Sequence, residues 1–497
     1  MSRFIRKVKT ASGATAVQIV IKDGRRVAAI DHIGSAHNAL ELEFLTALAK
    51  KRLLGGQLSL DLLEDEEADI FVAKTYSELL YDVLADEYHK MGFGVLGDEV
   101  FMQLVLARII EPTSKLDTIR VLDDLGLDAP SNTTIHRSLK RSIEDDYRSQ
   151  LSECCFEMTT KDSLSLLLYD VTTLYFEIQK EDDYRKSGMS KERRLDPQIT
   201  VGLLVGRDGF PLEIKSFEGN RAEVKTILEV LDTFRERYGL AEMTVTADAA
   251  MLSSKNIQAL EDSGYHYIIG SRIAKTPYEI REYAKRPGAE LTDGQIFNTY
   301  QHMNTGKGDV RKKRRVIYQY REKRARLDLS NIEKLLDKAE KMVNGKAEFK
   351  RNRFLKVSGS TKEINRELVE SSRLKAGIKG YVTDLNIPAQ EVIDAYQQLF
   401  EVERSFRMAK SDLKARPVFH QKRDSIEAHL TIVFAALAIA RRVQRATGLS
   451  LKRLVRRLTT VRTGLISVNG SMHRVRPRID SEVAVILDQL GSRGCGY

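Results

Sequence analysis

Cysteine is scarce in these 497 residues: Cys154, Cys155 and Cys495 are the only three. They offer neither a disulfide framework nor metal-ligand spacing, and neighbours such as Cys154 and Cys155 rarely bridge each other. A reducing cytoplasm is implied. Long apolar runs are also missing. The longest, Leu430 to Ala440, falls short of the roughly 20 residues that span a bilayer, and the Met-Ser-Arg start lacks a signal peptide's apolar core. No membrane partner is expected. Histidine supplies no metal site by spacing, and His266, His420, His429 and His473 read as surface or core residues. Neither a solenoid-like repeat nor a low-complexity tract is evident. Finally, residues 441–478 contain no acid but 11 Lys or Arg, so the net charge of +10 is local and the remaining chain sits near −1. Such a concentrated excess suits a nucleic-acid contact surface, with Arg453, Arg456 and Arg457 at its densest point.

What is present divides into several parts. The length predicts three or four domains, and a hydrophobic content of 42% is ample for burial. Residues 13–31 read as two strands around an Asp23-Gly24 turn, and 38–54 as a helix. The acid run from Asp61 to Asp69, six acids in nine residues, has no ordered ligand spacing and reads as a linker or helix edge. Three helices follow, at 99–110, 114–125 and 132–141. Together they suggest a helical DNA-binding unit whose last helix, capped by Ser131, presents Arg137 and Lys140. An ordinary helical bundle with a basic surface fits the same pattern.

Two short apolar runs each end on a carboxylate. LSLLLYD ends at Asp170 and MTVTAD at Asp248, and a charge straight after a buried strand is costly unless it is paired or binds a cation. Strands at 199–205 and 210–217, a helix at 226–238, a strand at 243–248, a helix at 254–262 and a strand at 265–270 surround them. That order is what a ribonuclease H-like fold requires, and in such a sheet the first and fourth strands are neighbours. Asp170 and Asp248 can therefore converge. Between Arg272 and Ile378 the pattern lapses, as an insertion would make it. Within it, residues 311–326 carry nine basic residues and one acid. Arg311 and Lys312 could take phosphate there while Tyr318 and Tyr320 stack bases. The two tyrosines equally fit the buried face of a strand.

A strand at 380–385 resumes the core, and residues 395–420 read as a helix. At 100° per residue Tyr396, Leu399, Glu403, Arg407, Lys410 and Lys414 share one narrow face, beside an apolar stripe of Val402, Phe406 and Leu413. The same spacing suits a solvated amphipathic helix; the two aspartates decide for a catalytic one. Glu401, two residues from Glu403, points roughly opposite, towards solvent. Beyond, 426–443 reads as a buried helix and 483–490 as another, which makes the basic tail a DNA clamp rather than a disordered arm.

On these residues the chain resembles the DDE transposases of bacterial insertion sequences, in the group with the YREK signature. That signature runs Tyr, two residues, Arg, three residues, Glu, six residues, Lys. Tyr396, Glu403 and Lys410 fit it; Leu399 stands where it has Arg, with Arg404 or Arg407 as substitutes. The resemblance implies two Mg²⁺ ions, with Mn²⁺ as a substitute, bridged by Asp170 and each held further by Asp248 or Glu403. It implies that Lys410 grips a phosphate while Tyr396 and Arg407 position the strand. Family members often stack a flipped base on a tryptophan in the insertion, and this chain has none, so Tyr or Phe must serve.

The expected architecture is α/β and multidomain. It comprises an N-terminal β/helical unit (1–60), a helical DNA-binding region (61–160), a ribonuclease H-like core in two parts (161–271 and 379–445), an insertion (272–378) and a basic C-terminal region (446–497). The expected activity is binding of insertion-sequence ends, their hydrolytic cleavage, and attack of the freed 3′-hydroxyl on target DNA. Expected partners are double-stranded DNA, as terminal inverted repeats and target, and a second copy in the active complex, in the cytoplasm at the nucleoid. Another ribonuclease H-like nuclease, such as a junction resolvase, is disfavoured by the insertion and the YREK-like helix. A DNA-binding protein with a dead core is disfavoured by the presence of all three acids.

Overall fold

The computed structural model describes residues 2–10, 13–24, 26–54, 70–160, 164–176, 181–188, 196–221, 223–248, 253–271, 273, 276–304, 310–348, 350–358, 361–415, 422–468 and 471–492. The chain forms two compact units. One comprises Met1–Cys154, Asp412–Lys414 and Ala428–Tyr497, the other Cys155–Ser411 and Ala415–Glu427.

The first unit opens with an antiparallel sheet of β1 (Ser2–Lys9), β2 (Thr15–Asp23) and β3 (Arg26–Ala36). The Asp23-Gly24 turn places Gly24 at φ 58°, a conformation glycine takes without a Cβ clash. Helix Ala39–Leu54 packs Leu45 and Ala49 against Val17 and Ile19 of this sheet. The acid run 61–69 lies outside the described residues, and β4 (Ile70–Tyr76) follows it. Helices Glu99–Ile110, Lys115–Asp124 and Asn132–Glu144 come next. Each begins where an Asp or Ser side chain accepts an orphan backbone N–H: Asp98 from Phe101, Ser114 from Asp117 and Ser131 from Thr134. Asp98 is also a hub. It accepts from Ser138, from Tyr147 and, at 2.6 Å, from Arg141, which ties the third helix to the start of the first.

The second unit is built on one eight-stranded sheet. Its strands are β5 (Leu167–Tyr175), β6 (Gln198–Val205), β7 (Pro211–Glu218), β8 (Thr244–Ala247), β9 (His266–Ser271), β10 (Ile296–Asn304) and β11 (Arg311–Tyr320). A small hairpin of β12 (Leu355–Ser358) and β13 (Thr361–Ile364) stands apart, and β14 (Ile378–Thr383) returns to the sheet. The order is β10-β11-β14-β9-β8-β5-β6-β7. Pairing is parallel for β5 with β8 and for β8 with β9, and antiparallel elsewhere. The first and fourth strands of the core are thus hydrogen-bonded neighbours. Helix Glu223–Tyr238 contributes Ile227, Val230, Leu231 and Phe234 to the main core, against Leu167, Tyr169, Val245 and Tyr267 from the strands.

The segment between 272 and 378 is less separate than its broken pattern suggests. β10 and β11 extend the central sheet, and Val316 and Tyr318 belong to the main core. Five basic residues at the start of β11 hide its apolar alternation from a sequence reading. Helix Glu322–Val343, the β12–β13 hairpin and helix Arg366–Leu374 surround a core of their own, with Ile332, Ala339, Phe354 and Val369.

Back in the first unit, β15 (Thr463–Val468) pairs with β16 (Ser471–Val475) and with β4. Helix Arg423–Thr447, which belongs to this unit from Ala428 on, and helices Leu451–Thr459 and Ser481–Gln489 occupy the C-terminal part. Among the described residues no helix is long and apolar enough to cross a membrane.

Candidate active site

The parallel register of β5 and β8 pairs Leu167 with Val245 and Leu168 with Thr246. Two residues further along, on the same face by the period of a strand, stand Asp170 and Asp248. Asp170 is half-buried within β5, and Asp248 is exposed one residue beyond the end of β8. The sheet itself therefore brings together two acids that are 78 positions apart in the chain.

The third acid arrives on helix Leu399–Arg407, which packs on β5 and β6. Val402 and Phe406 are its buried side, and Ser405 donates to the Gly209 carbonyl at 3.0 Å. Glu403 is exposed. Tyr396 lies on the preceding helix, Ala389–Gln397. Its ring is 5% exposed, meets Tyr381 edge-on at 5.0 Å, and its hydroxyl reaches Asp248 Oδ1 at 3.4 Å. Burial raises the Tyr396 hydroxyl pKa, and the charges of Asp248 and Glu403 push it the same way. One phenol thus senses both acids.

The single long helix expected over 395–420 is not continuous. Gln398 ends one helix and begins the next, with its N–H on Ala395 O and its carbonyl taking Glu401 N, both three-residue spacings. A π-turn, Met408–Asp412, then carries Lys410, and Lys414 sits at φ 44°. Tightening at one point and widening at another breaks the fixed 100° step, so Tyr396, Glu403 and Lys410 stand on three successive segments and not on one continuous helix. Residues 416–420 lie outside the described residues. Leu399, where the signature has Arg, is a core residue at 5% exposure. Arg407 is exposed, and Lys410 half-buried. Glu401 is not solvated as expected: its side chain is 18% exposed, with Arg404 at 3.8 Å.

Sequence reasoning missed the cations. A cleft of about 600 Å³ is lined by Asp248, Tyr396, Arg324, Arg353, Lys375 and Lys379. The Lys379 ammonium stands 4.4 Å from the Tyr396 ring centroid. Its pKa is lowered, first by burial and then by Arg324, against the opposing pull of Asp248 and Glu403. Burial and Arg353 lower that of Lys375 likewise. These four cations come from a long helix, a loop and the entry to β14, and no local spacing links them.

Other expected DNA contacts are scattered. Tyr318 is 3% exposed in the main core with Gln301 donating to its hydroxyl, so its ring is closed to stacking, whereas Tyr320 packs against the same core and stays partly exposed. The buried-face reading fits Tyr318. Arg311 and Lys312 are exposed, the latter 2.9 Å from Glu261. In the first unit Arg137 is exposed and Lys140 pairs with Glu144. Arg456 is exposed, whereas Arg453 and Arg457 both pair with Glu482, and Arg457 also with Asp480.

Among the described residues no three acid, histidine or cysteine side chains lie close enough together to hold one ion. Asp170, Asp248 and Glu403 would each offer carboxylate oxygens, the ligand type that Mg²⁺ and Mn²⁺ take.

The sequence of residues 162–439 matches the family described as the transposase DDE domain. No protein of curated function matches the chain. Among solved structures, similarity is found to a cryo-EM structure of the piggyBac transposase synaptic complex with hairpin DNA. The TM-score is 0.41 at 10% sequence identity, over 77% of this chain and 79% of that one.

Proposed function

We propose, from the premise that this chain belongs to the transposase DDE domain family, that it binds the ends of an insertion sequence, cleaves them and joins them to target DNA. The observation that carries the proposal is the β5–β8 register, which sets Asp170 level with Asp248, with the helix of Glu403 packed on β5. The strand order β7-β6-β5-β8-β9 supports a ribonuclease H-like core. Tyr396, Glu403 and Lys410 support the YREK group of bacterial elements.

Phosphodiesters are anionic and resist attack, so cleavage needs charge neutralisation and an activated oxygen. Two divalent ions, Mg²⁺ or Mn²⁺, held by Asp170, Asp248 and Glu403, would supply both. The chain's own groups do the rest. Tyr396 steadies Asp248 through its hydroxyl. Lys379, Arg324, Arg353 and Lys375 line the cleft beside it and attract the DNA backbone. Arg407, exposed on the helix of Glu403, and Lys410, on the π-turn after it, would add cations for the strand, and a homodimer would bring two element ends together.

The test is a gel shift and a Mg²⁺-dependent nicking assay on one element-end duplex. Asp170→Asn and Asp248→Asn should each abolish nicking and leave binding largely intact. Near-normal nicking by either variant would sink the assignment.

A further inference from the structure

A second cleft, of about 480 Å³, opens at the opposite end of the same strands, where β9 begins, β14 ends and β11 starts. Six residues of β9 place it roughly 17 Å from the end that carries the acids, at about 3.3 Å per residue. It is lined by His266, Asp384, Tyr300, Lys313, Arg314 and Arg315, among others.

Most polar groups here are already engaged. Asp384 takes His266 Nδ1 at 2.8 Å and the Tyr267 N–H at 3.0 Å. Arg315 bonds Asn298 and the carbonyls of Leu385 and Ile387. Glu261 is clasped by Lys312, Arg314 and Tyr267. Two features are left over. Arg314 is 3% exposed, yet its Nη1 has no hydrogen-bond partner, an expensive arrangement in a buried guanidinium. Tyr300 is 55% exposed on the edge strand, with the Lys313 ammonium 4.8 Å from its ring centroid. Arg314 belongs to the Glu261 face of β11 with Lys312, and on the other face, with its acid committed to His266, the cleft offers the positive charge of Lys313 and an open aromatic ring.

We propose that the Lys313 and Tyr300 side of this cleft is a second DNA-backbone site, holding a phosphate on Lys313 and packing the adjoining sugar on Tyr300. The inference rests on the DNA-transposase reading and adds a binding locus away from the acids. Phosphates of the element end and of target DNA share this chemistry, and competition separates them.

Fluorescence anisotropy of the full chain in EDTA, across a salt series, tests the site without requiring cleavage. The probes are an element-end duplex and an unrelated duplex. Lys313→Ala should weaken binding and reduce the log–log salt slope by about one, as expected when one phosphate is no longer neutralised. Tyr300→Ala should weaken binding with little change of slope, and Tyr300→Phe and Lys313→Arg should restore it. If the unrelated duplex still binds protein saturated with the element end, and Lys313→Ala removes that binding, the cleft takes target DNA. If the variant weakens only the element end, it takes that end. Unchanged affinity and slope on both duplexes would overturn the site. Failure of the catalytic reading would register separately, as nicking that survives Asp170→Asn.

Discussion

Glu403 and Glu401 sit two positions apart on one helix and have different surroundings. Glu403 is exposed and within electrostatic reach of Tyr396 and Lys379, whereas Glu401 is mostly covered and lies near Arg404. Glu403→Gln should remove both strand cleavage and strand transfer, because a lost ligand charge weakens metal binding. Glu401→Gln should change activity less than about tenfold and cost about 1 kcal/mol of stability, the worth of one modest polar interaction; a steady-state assay and a denaturant melt separate the two. Tyr396→Phe keeps the ring over which Lys379 sits and removes only the hydroxyl on Asp248. About a tenfold loss of cleavage is expected, equivalent to about 1.4 kcal/mol; an unchanged rate would make the phenol a packing residue alone. The proposed acids stand out in the sequence, Asp170 and Asp248 because each closes a short apolar run and Glu403 because it keeps the spacing of the signature. Lys379 and Arg324 were not. A lysine on a strand and an arginine on an exposed helix look like ordinary solubilising residues until tertiary packing turns them into one cleft.

Strands and helices with clean alternation or a cap were readable. Helix Ser254–Asp262 has the bounds its pattern predicted, since Ser253 caps it and Gly264, at φ 75°, follows its end. β11 was obscured by its basic start, and β1 by its four basic residues, which resemble an exposed tail. The break at Gln398 and the π-turn carry no sequence marker at all. Packing of helix Ser254–Asp262 on β11 depends on Glu261, which Arg314, itself nearly fully buried, grips at 2.9 Å. Burial alone would raise the Glu261 pKa, but Arg314, Lys312 and Tyr267 outweigh it and bring it to about 2. A depressed carboxyl contributes stability that is present above its unfolded pKa of about 4.5 and is lost as pH falls towards 2. Glu261→Gln should therefore cost about 3 kcal/mol near neutral pH by stranding a buried guanidinium. Thermal melts should show that deficit shrinking below pH 4.5, and a deficit independent of pH would contradict the ion-pair account.

The distribution of charge over the whole chain pointed to DNA, but the folded C-terminal region spends part of its positive charge internally, on Asp480 and Glu482. Lys452 and Arg456 are exposed on the same helix. Neutralising both should reduce the salt slope of DNA binding by one to two units, about one for each phosphate left without its cation, whereas Arg457→Ala should act chiefly on stability; an unchanged slope for the first pair would mean that DNA does not touch this helix. The proposed chemistry of the molecule depends on three acids from 170, 248 and 403 forming one metal-holding site. Iron-directed hydroxyl-radical cleavage reads this without any DNA substrate: Fe²⁺ held at the proposed Mg²⁺ position would, with added peroxide and ascorbate, cut the backbone beside its ligands. The prediction is three cuts, near Asp170, Asp248 and Glu403, all suppressed by excess Mg²⁺ and all lost in Asp170→Asn. Cuts at only one of these segments, or at none, would contradict it.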